Sequence, residues 1–152
     1  MQRLHEVGAW ESSWAWGGPL IVLTVVVHVI GLALIRAGFA RAFADRPVRH
    51  GLSVLHFAAV MGVAVSLTTL LHIAQAATWA AAYVLLGALP GPPEAMLYSI
   101  GAMTTYGHAA IYLAPHWQML GALQALNGVM LFGLSTAFLY GMIQHAWPSR
   151  AG

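Results

Sequence analysis

Charge is what this sequence has least of. Only 7% of its 152 residues are Asp, Glu, Lys or Arg; there is no lysine, and there are four acids. A soluble domain carries roughly 25% charged residues to keep its surface wetted, so most of this surface is not built to face water. Cysteine is absent as well, which excludes disulfides and thiolate metal sites and leaves the compartment unmarked. Glu94 is the only acid after Asp45, and no carboxylate pair, nucleophile–base set or phosphate loop is present. Neither catalysis nor a bound cofactor is expected. The N-terminus carries Glu6 and Glu11 and lacks a cationic stretch ahead of a small-residue cleavage site, so no cleaved leader is expected. Six arginines give a net charge of +2. Four of them sit in one loop and none stripes a helix, so no nucleic-acid partner is expected either.

Apolar residues make up 60% of the chain, and they come in runs long enough to span hydrocarbon, which takes about 20 residues of helix. The first span is predicted over 19–36, with only Thr24 and His28 polar in its centre. A basic stretch with Arg36, Arg41, Arg46 and Arg49 follows. The second apolar stretch covers 52–89; as one helix it would exceed about 50 Å, so it must tilt, project or break. Pro90, Gly91, Pro92 and Pro93 end it. The last covers 117–147. The arginine loop places 36–50 and the C-terminus in the cytoplasm and the N-terminus and 90–116 outside, as a multi-pass protein of the cell membrane.

The segment Glu94–Tyr112 is too apolar for a solvated loop and too short to cross. It reads as an interfacial or re-entrant segment, and re-entrant backbone is tolerated only where protein buries it or a water-filled path runs past it. Pro93 suits a first helical position and Glu94 the positive end of the helix dipole, so a short helix is predicted over 93–103. Thr104-Thr105-Tyr106-Gly107-His108-Ala109 follows it.

This order resembles the pore module of the potassium-channel superfamily, in which a pore helix is followed by Thr-Thr-X-Gly-Tyr-Gly-Asp and an inner helix. Trp117, the run Leu123–Leu139 and the residues Ala81, Tyr83, Leu85, Leu86 and Gly87 extend the resemblance over about 53–147, toward small bacterial members with one extra N-terminal span. The resemblance implies an all-α membrane protein of three spans, a pore helix and a filter at 104–110, assembled as a homotetramer in the lipid bilayer. It implies passive conduction of monovalent cations, K+ or Na+, with carbonyl sites at Thr104, Thr105, Tyr106 and Gly107. It also implies that Val129, Phe132, Thr136 and Tyr140, one face of the last span, line a central cavity. Gly128 and Gly133 are then hinge or close-packing positions. Gln124 and Asn127 are expected to brace the filter from behind. The filter departs from the family at Ala109, where glycine would accept φ > 0 at little cost, and at Ala110 and His108, which stand for Asp and Tyr. A standard potassium-selective outer filter is not expected. A non-conducting assembly with a structural or metal-sensing role is the alternative.

His108 has two readings: packed behind the filter, or one of a ring of imidazoles that binds a proton or a transition metal such as zinc or nickel. Thr68, His72, Gln75 and Trp79 share one face of the second span, and polar residues on one face of a membrane helix turn toward protein. They are expected to bond the pore helix and the last span. Ala58, Gly62 and Ser66 form a small-residue stripe expected to pack closely against another helix. His28, His56, His72 and His145 raise bis-histidine haem or copper, which needs two rings facing each other across helices.

Overall fold

A long uncharged chain can satisfy its backbone in lipid only by forming helices or a closed barrel, and this chain forms helices. A computed structural model describes residues 2–44, 52–107 and 110–146, and among these there is no strand. The elements are α1 (Gln2–Ala44), α2 (Leu52–Leu85), α3 (Pro92–Met103) and α4 (Gln118–Ala146), with a 3₁₀ turn at Pro115–Trp117 leading into α4. Three of them are long and apolar enough to cross a membrane, over Trp10–Arg41, Val54–Leu85 and Pro115–Gln144, the last including the 3₁₀ turn. The protein is an all-helical, multi-pass membrane protein.

Two helix ends differ from the sequence expectation. The first helix does not start at Pro19; it runs through it from Gln2. Proline removes one backbone donor, and a membrane bundle tolerates the gap where neighbouring helices pack against it. Here the neighbour is α4, which approaches so closely at Gly17 that a Cβ would meet Leu123 Cδ1 at 2.6 Å. The second helix ends at Leu85, before the proline cluster. Gly87 stops it by adopting φ +66°. Its N–H bonds the Val84 carbonyl at 3.0 Å and the Ala88 N–H bonds the Tyr83 carbonyl at 2.8 Å, the paired bonds of a Schellman cap. Ala88 and Leu89 then fold back into a buried cluster with Trp79, Tyr83, Leu113, Trp117 and Leu120.

The placement of α3 follows from its contacts. It packs between α2 and α4, and its last residue, Met103, clusters with Ala76 and Leu131. Backbone atoms of Met103 lie where a Cβ on Gly128 would go. Gly128 is ten residues past the start of α4, about 15 Å along the axis at 1.5 Å per residue. Ala76 is nine residues before the end of α2, about 14 Å from that end. Both distances are about half the thickness of a hydrocarbon core. The opposite end of the bundle is closed by Phe39, Ala64 and Met142.

The distribution of polarity is inverted relative to a soluble bundle. Thr24, His28, Thr68, His72, Gln75, Ser99, Gln124, Asn127 and Ser135 are buried, while Val22, Ile30, Leu34, Leu55, Val63 and Leu70 are exposed. Lipid is as apolar as leucine, so burying leucine gains little there, and hydrogen bonds between helices carry more of the association.

Candidate functional site

The chain leaves α3 through Thr104, whose hydroxyl bonds back to the Ile100 carbonyl at 2.8 Å. The Gly107 N–H returns to the Gly101 carbonyl at 3.2 Å. Between them the backbone alternates in sign: φ is +58° at Thr105 and +71° at Gly107. Glycine takes that conformation freely. A β-branched threonine does so as an outlier, which the surrounding structure must hold in place. Thr104, Thr105, Tyr106 and Gly107 are all exposed, Tyr106 at 87%. His108 and Ala109 lie outside the described residues, and Ala110 is exposed.

Behind this loop the α3 helix is bound on both sides by buried hydrogen bonds. The Ser99 hydroxyl donates to the Ala76 carbonyl of α2 at 2.6 Å. Gln124 of α4 donates to the Ser99 carbonyl at 3.1 Å and to its hydroxyl oxygen at 2.6 Å. The Tyr83 hydroxyl donates to Gln124 Oε1 at 2.6 Å. Tyr98 packs edge-on against Tyr83, with ring centroids 5.4 Å apart. Burial pushes its phenol above the usual range, so it stays neutral. Gln124 therefore ties α2, α3 and α4 together. Asn127 does something else: it reaches α1 and donates to Thr24 Oγ1 at 2.8 Å.

One face of α4 is used up in this way and the other is not. Val129, Phe132, Thr136 and Tyr140 are exposed. Thr136 bonds only the Phe132 carbonyl of its own helix, at 2.9 Å. Tyr140 accepts from Gln144, a turn later on the same helix, at 2.7 Å. Gly128 is buried against Met103, whereas Gly133 has open space where a Cβ would stand. Ala58, Gly62 and Ser66 also face outward, and nothing approaches Gly62; the stripe makes no close helix contact within the chain.

A second polar cluster joins α1, α2 and α4. Gln75 donates to the Thr24 carbonyl at 3.2 Å and to His28 Nδ1 at 2.9 Å. His28 Nε2 and His72 Nε2 both meet Ser135 Oγ, at 2.9 and 3.0 Å. Thr68 bonds the Ala64 carbonyl of its own helix. Of the polar face predicted on α2, His72 does bond the last span; Gln75 instead turns to α1, and none of the described bonds of this face goes to α3. The sequence signal for His28 was present, since it and Thr24 are the only polar residues in the core of the first span. Ser135 carried no such signal, because serine is unremarkable in a membrane helix.

The His28 and His72 rings lie 5.0 Å apart between centroids. With both Nε2 atoms already on one serine oxygen, no gap remains between them for a porphyrin. His56 is half-buried elsewhere on α2, and the side chain of His145 lies outside the described residues. Among the described residues no three His, Cys, Asp or Glu side chains come together as a metal site. His116 is exposed beside Trp117. No protein-family model, curated protein or solved structure matches this chain.

Proposed function

We propose that this chain is one subunit of a homotetrameric channel that passes monovalent cations, with α3 as its pore helix, the loop beginning at Thr104 as its filter and α4 as its inner helix. The observation that carries this reading is where α3 ends, with Met103 against Ala76 of α2 and Gly128 of α4, well inside both apolar spans. A short helix that ends near mid-membrane leaves non-helical backbone there, and such backbone survives only where it is buried in protein or lines a water-filled path. Thr104–Gly107 is exposed in the subunit, so other subunits or water must surround it. The resemblance of the sequence to potassium-channel pore modules supports the same reading, and so does the alternating φ of Thr105 and Gly107. Alternation turns successive carbonyls toward one direction, as a row of cation ligands requires. The end of α3 aims the negative end of its helix dipole at the same place. The unpartnered face of α4, with Val129, Phe132, Thr136 and Tyr140, would then surround the central cavity. The termini follow from the arginines at and beyond the end of α1: N-terminus outside, C-terminus cytoplasmic.

Conduction in liposomes tests the reading directly. Purified protein is expected to pass both K+ and Na+, with a preference no greater than about tenfold, or roughly 1.4 kcal/mol of discrimination. Native mass measurement is expected to give four subunits. A dimer or trimer, or protein that passes no monovalent cation, overturns the channel; a potassium preference of several hundredfold overturns the altered filter.

A further inference from the structure

The polar cluster of α1, α2 and α4 has a direction, and one backbone carbonyl sets it. The Thr24 carbonyl can only accept, so the Gln75 atom 3.2 Å from it is the amide nitrogen. The second hydrogen of that nitrogen points at His28 Nδ1. His28 Nδ1 is therefore an acceptor, and the ring is neutral with its proton on Nε2. Nε2–H donates to Ser135 Oγ. The serine hydrogen is then the one left to bond His72 Nε2, so His72 carries its own proton on Nδ1. That nitrogen is buried and has no hydrogen-bond partner. His72 itself is 9% exposed.

The same chain of donors decides where an added proton can go. On His28 it would have to sit on Nδ1, facing the Gln75 amide hydrogens, and that bond would be lost. On His72 it would sit on Nε2, facing Ser135 Oγ. A hydroxyl oxygen has two lone pairs and accepts from two donors, so both histidines keep their bonds to it. The serine hydrogen is then released from His72. The charge formed on His72 lies against the Phe132 ring, which is stacked on it with centroids 4.4 Å apart. A cation over an aromatic face is attracted to it.

We infer that His72 is a proton-binding site inside the membrane-spanning bundle, accepting one proton while His28 stays neutral. The groups around it fit a single positive charge. From α1 the facing titratable group is His28, which is held neutral by Gln75. From α4 Ser135 and Phe132 face it, and neither ionises; Tyr140 is two turns further on and bonded to Gln144. The titratable groups of α3 are Glu94, exposed near its N-terminus, and Tyr98, which packs on Tyr83. On α2 the next is His56, more than four turns away. Arg36 is exposed two turns beyond His28 on α1.

Phe132 belongs to the face proposed to line the cavity, so the charge stands one ring behind it. The site itself does not depend on the channel reading; its effect on conduction does. Lowering the pH adds the charge, and four such charges around a cavity repel cations.

Nitrogen-15 NMR of histidine-labelled protein in bilayers, assigned with His28→Gln and His72→Gln, tests the site without any flux. At pH 8 His28 is expected as the Nε2–H tautomer and His72 as Nδ1–H. On acidification His72 alone is expected to become imidazolium. A proton taken first by His28, by both together, or by neither while the fold persists overturns the site. The second arm compares cation flux of the unmodified protein with that of His72→Gln; the loop imidazole is common to both, so only the difference between them counts. Flux of the unmodified protein is expected to fall about tenfold further than that of His72→Gln over the pH range in which His72 titrates. An equal pH dependence in the two while His72 titrates overturns the coupling to conduction. Absence of flux at every pH overturns the channel and leaves the NMR arm to decide the proton site.

Discussion

The two faces of α4 come from one stretch of sequence and are used in opposite ways. The inward face carries Gln124, Asn127, Gly128, Leu131 and Ser135, all buried, and its amides and hydroxyl bond α1, α2 and α3. The outward face carries Val129, Phe132, Gly133, Thr136 and Tyr140, all exposed, and its hydroxyls bond within their own helix. The difference teaches that polarity here marks the inside of the bundle, where a soluble helix would show the reverse. In lipid an amide is costly to leave unpaired and a leucine is at home, so the polar stripe selects the protein-facing side. The outward face has neither a polar stripe nor a partner within the chain.

The sharpest way to break the comparison is one substitution made on both faces. Alanine is a better helix former than glycine by about 0.5–1 kcal/mol. At Gly133 nothing stands within 4 Å of a new Cβ, so Gly133→Ala is expected to leave the stability of the bundle unchanged or raise it by up to about 1 kcal/mol. At Gly128 the new Cβ meets the backbone of Met103, which cannot swing aside. Gly128→Ala is expected to destabilise by about 3 kcal/mol, at the upper end of overpacking costs. Denaturation in mixed micelles reads both values. Equal effects at the two glycines would show that α3 does not press on Gly128.

A smaller contrast separates the amide from the hydroxyl. Gln124→Leu removes the partner of Tyr83 and Ser99 at once and is expected to cost about 2 kcal/mol through buried groups left unpaired. Thr136→Val, on the outward face, is expected to change stability by less than about 0.5 kcal/mol. A tolerated Gln124→Leu would mean that apolar packing alone holds α3 at its depth. Ser135→Ala falls between Gln124→Leu and Thr136→Val. It strips both histidines of their shared oxygen, yet polar bonds between membrane helices average about 0.6 kcal/mol, so a loss of about 1 kcal/mol is expected in the same measurement. A loss as large as that of Gln124→Leu would make the histidine cluster a structural pillar of the bundle.

The local elements were legible in the sequence because their causes are local. Apolar length marked the three spans, and the proline–glycine run before Glu94 marked the start of α3, which begins at Pro92. The shared face of Thr68, His72, Gln75 and Trp79 followed from helical spacing alone, and all four are buried. Helix ends were less legible. Pro19 reads as a start and lies inside α1, while Gly87 ends α2 three residues before the first proline. Caps and tolerated prolines depend on what packs beside them, and composition does not report that.

By itself, then, the sequence determined that this protein lives in a membrane as helices, with one short segment between the last two spans that neither crosses nor dissolves. Hydrophobic length and the cost of an unpaired backbone suffice for that. Tertiary structure alone decided the partners. Gln75 and His28 are 47 positions apart, His72 and Ser135 63, and His28 and Ser135 107. Helical periodicity says which side chains share a face, but it does not say which helix that face will meet. That choice is made when the helices pack, by close approach at Gly17 and Gly128 and by the bonds that the amide nitrogens of Gln75, Gln124 and Asn127 make to neighbouring helices. The pairing of His28 with His72 through one serine, and the directed chain of donors that follows from it, exist only in the folded bundle.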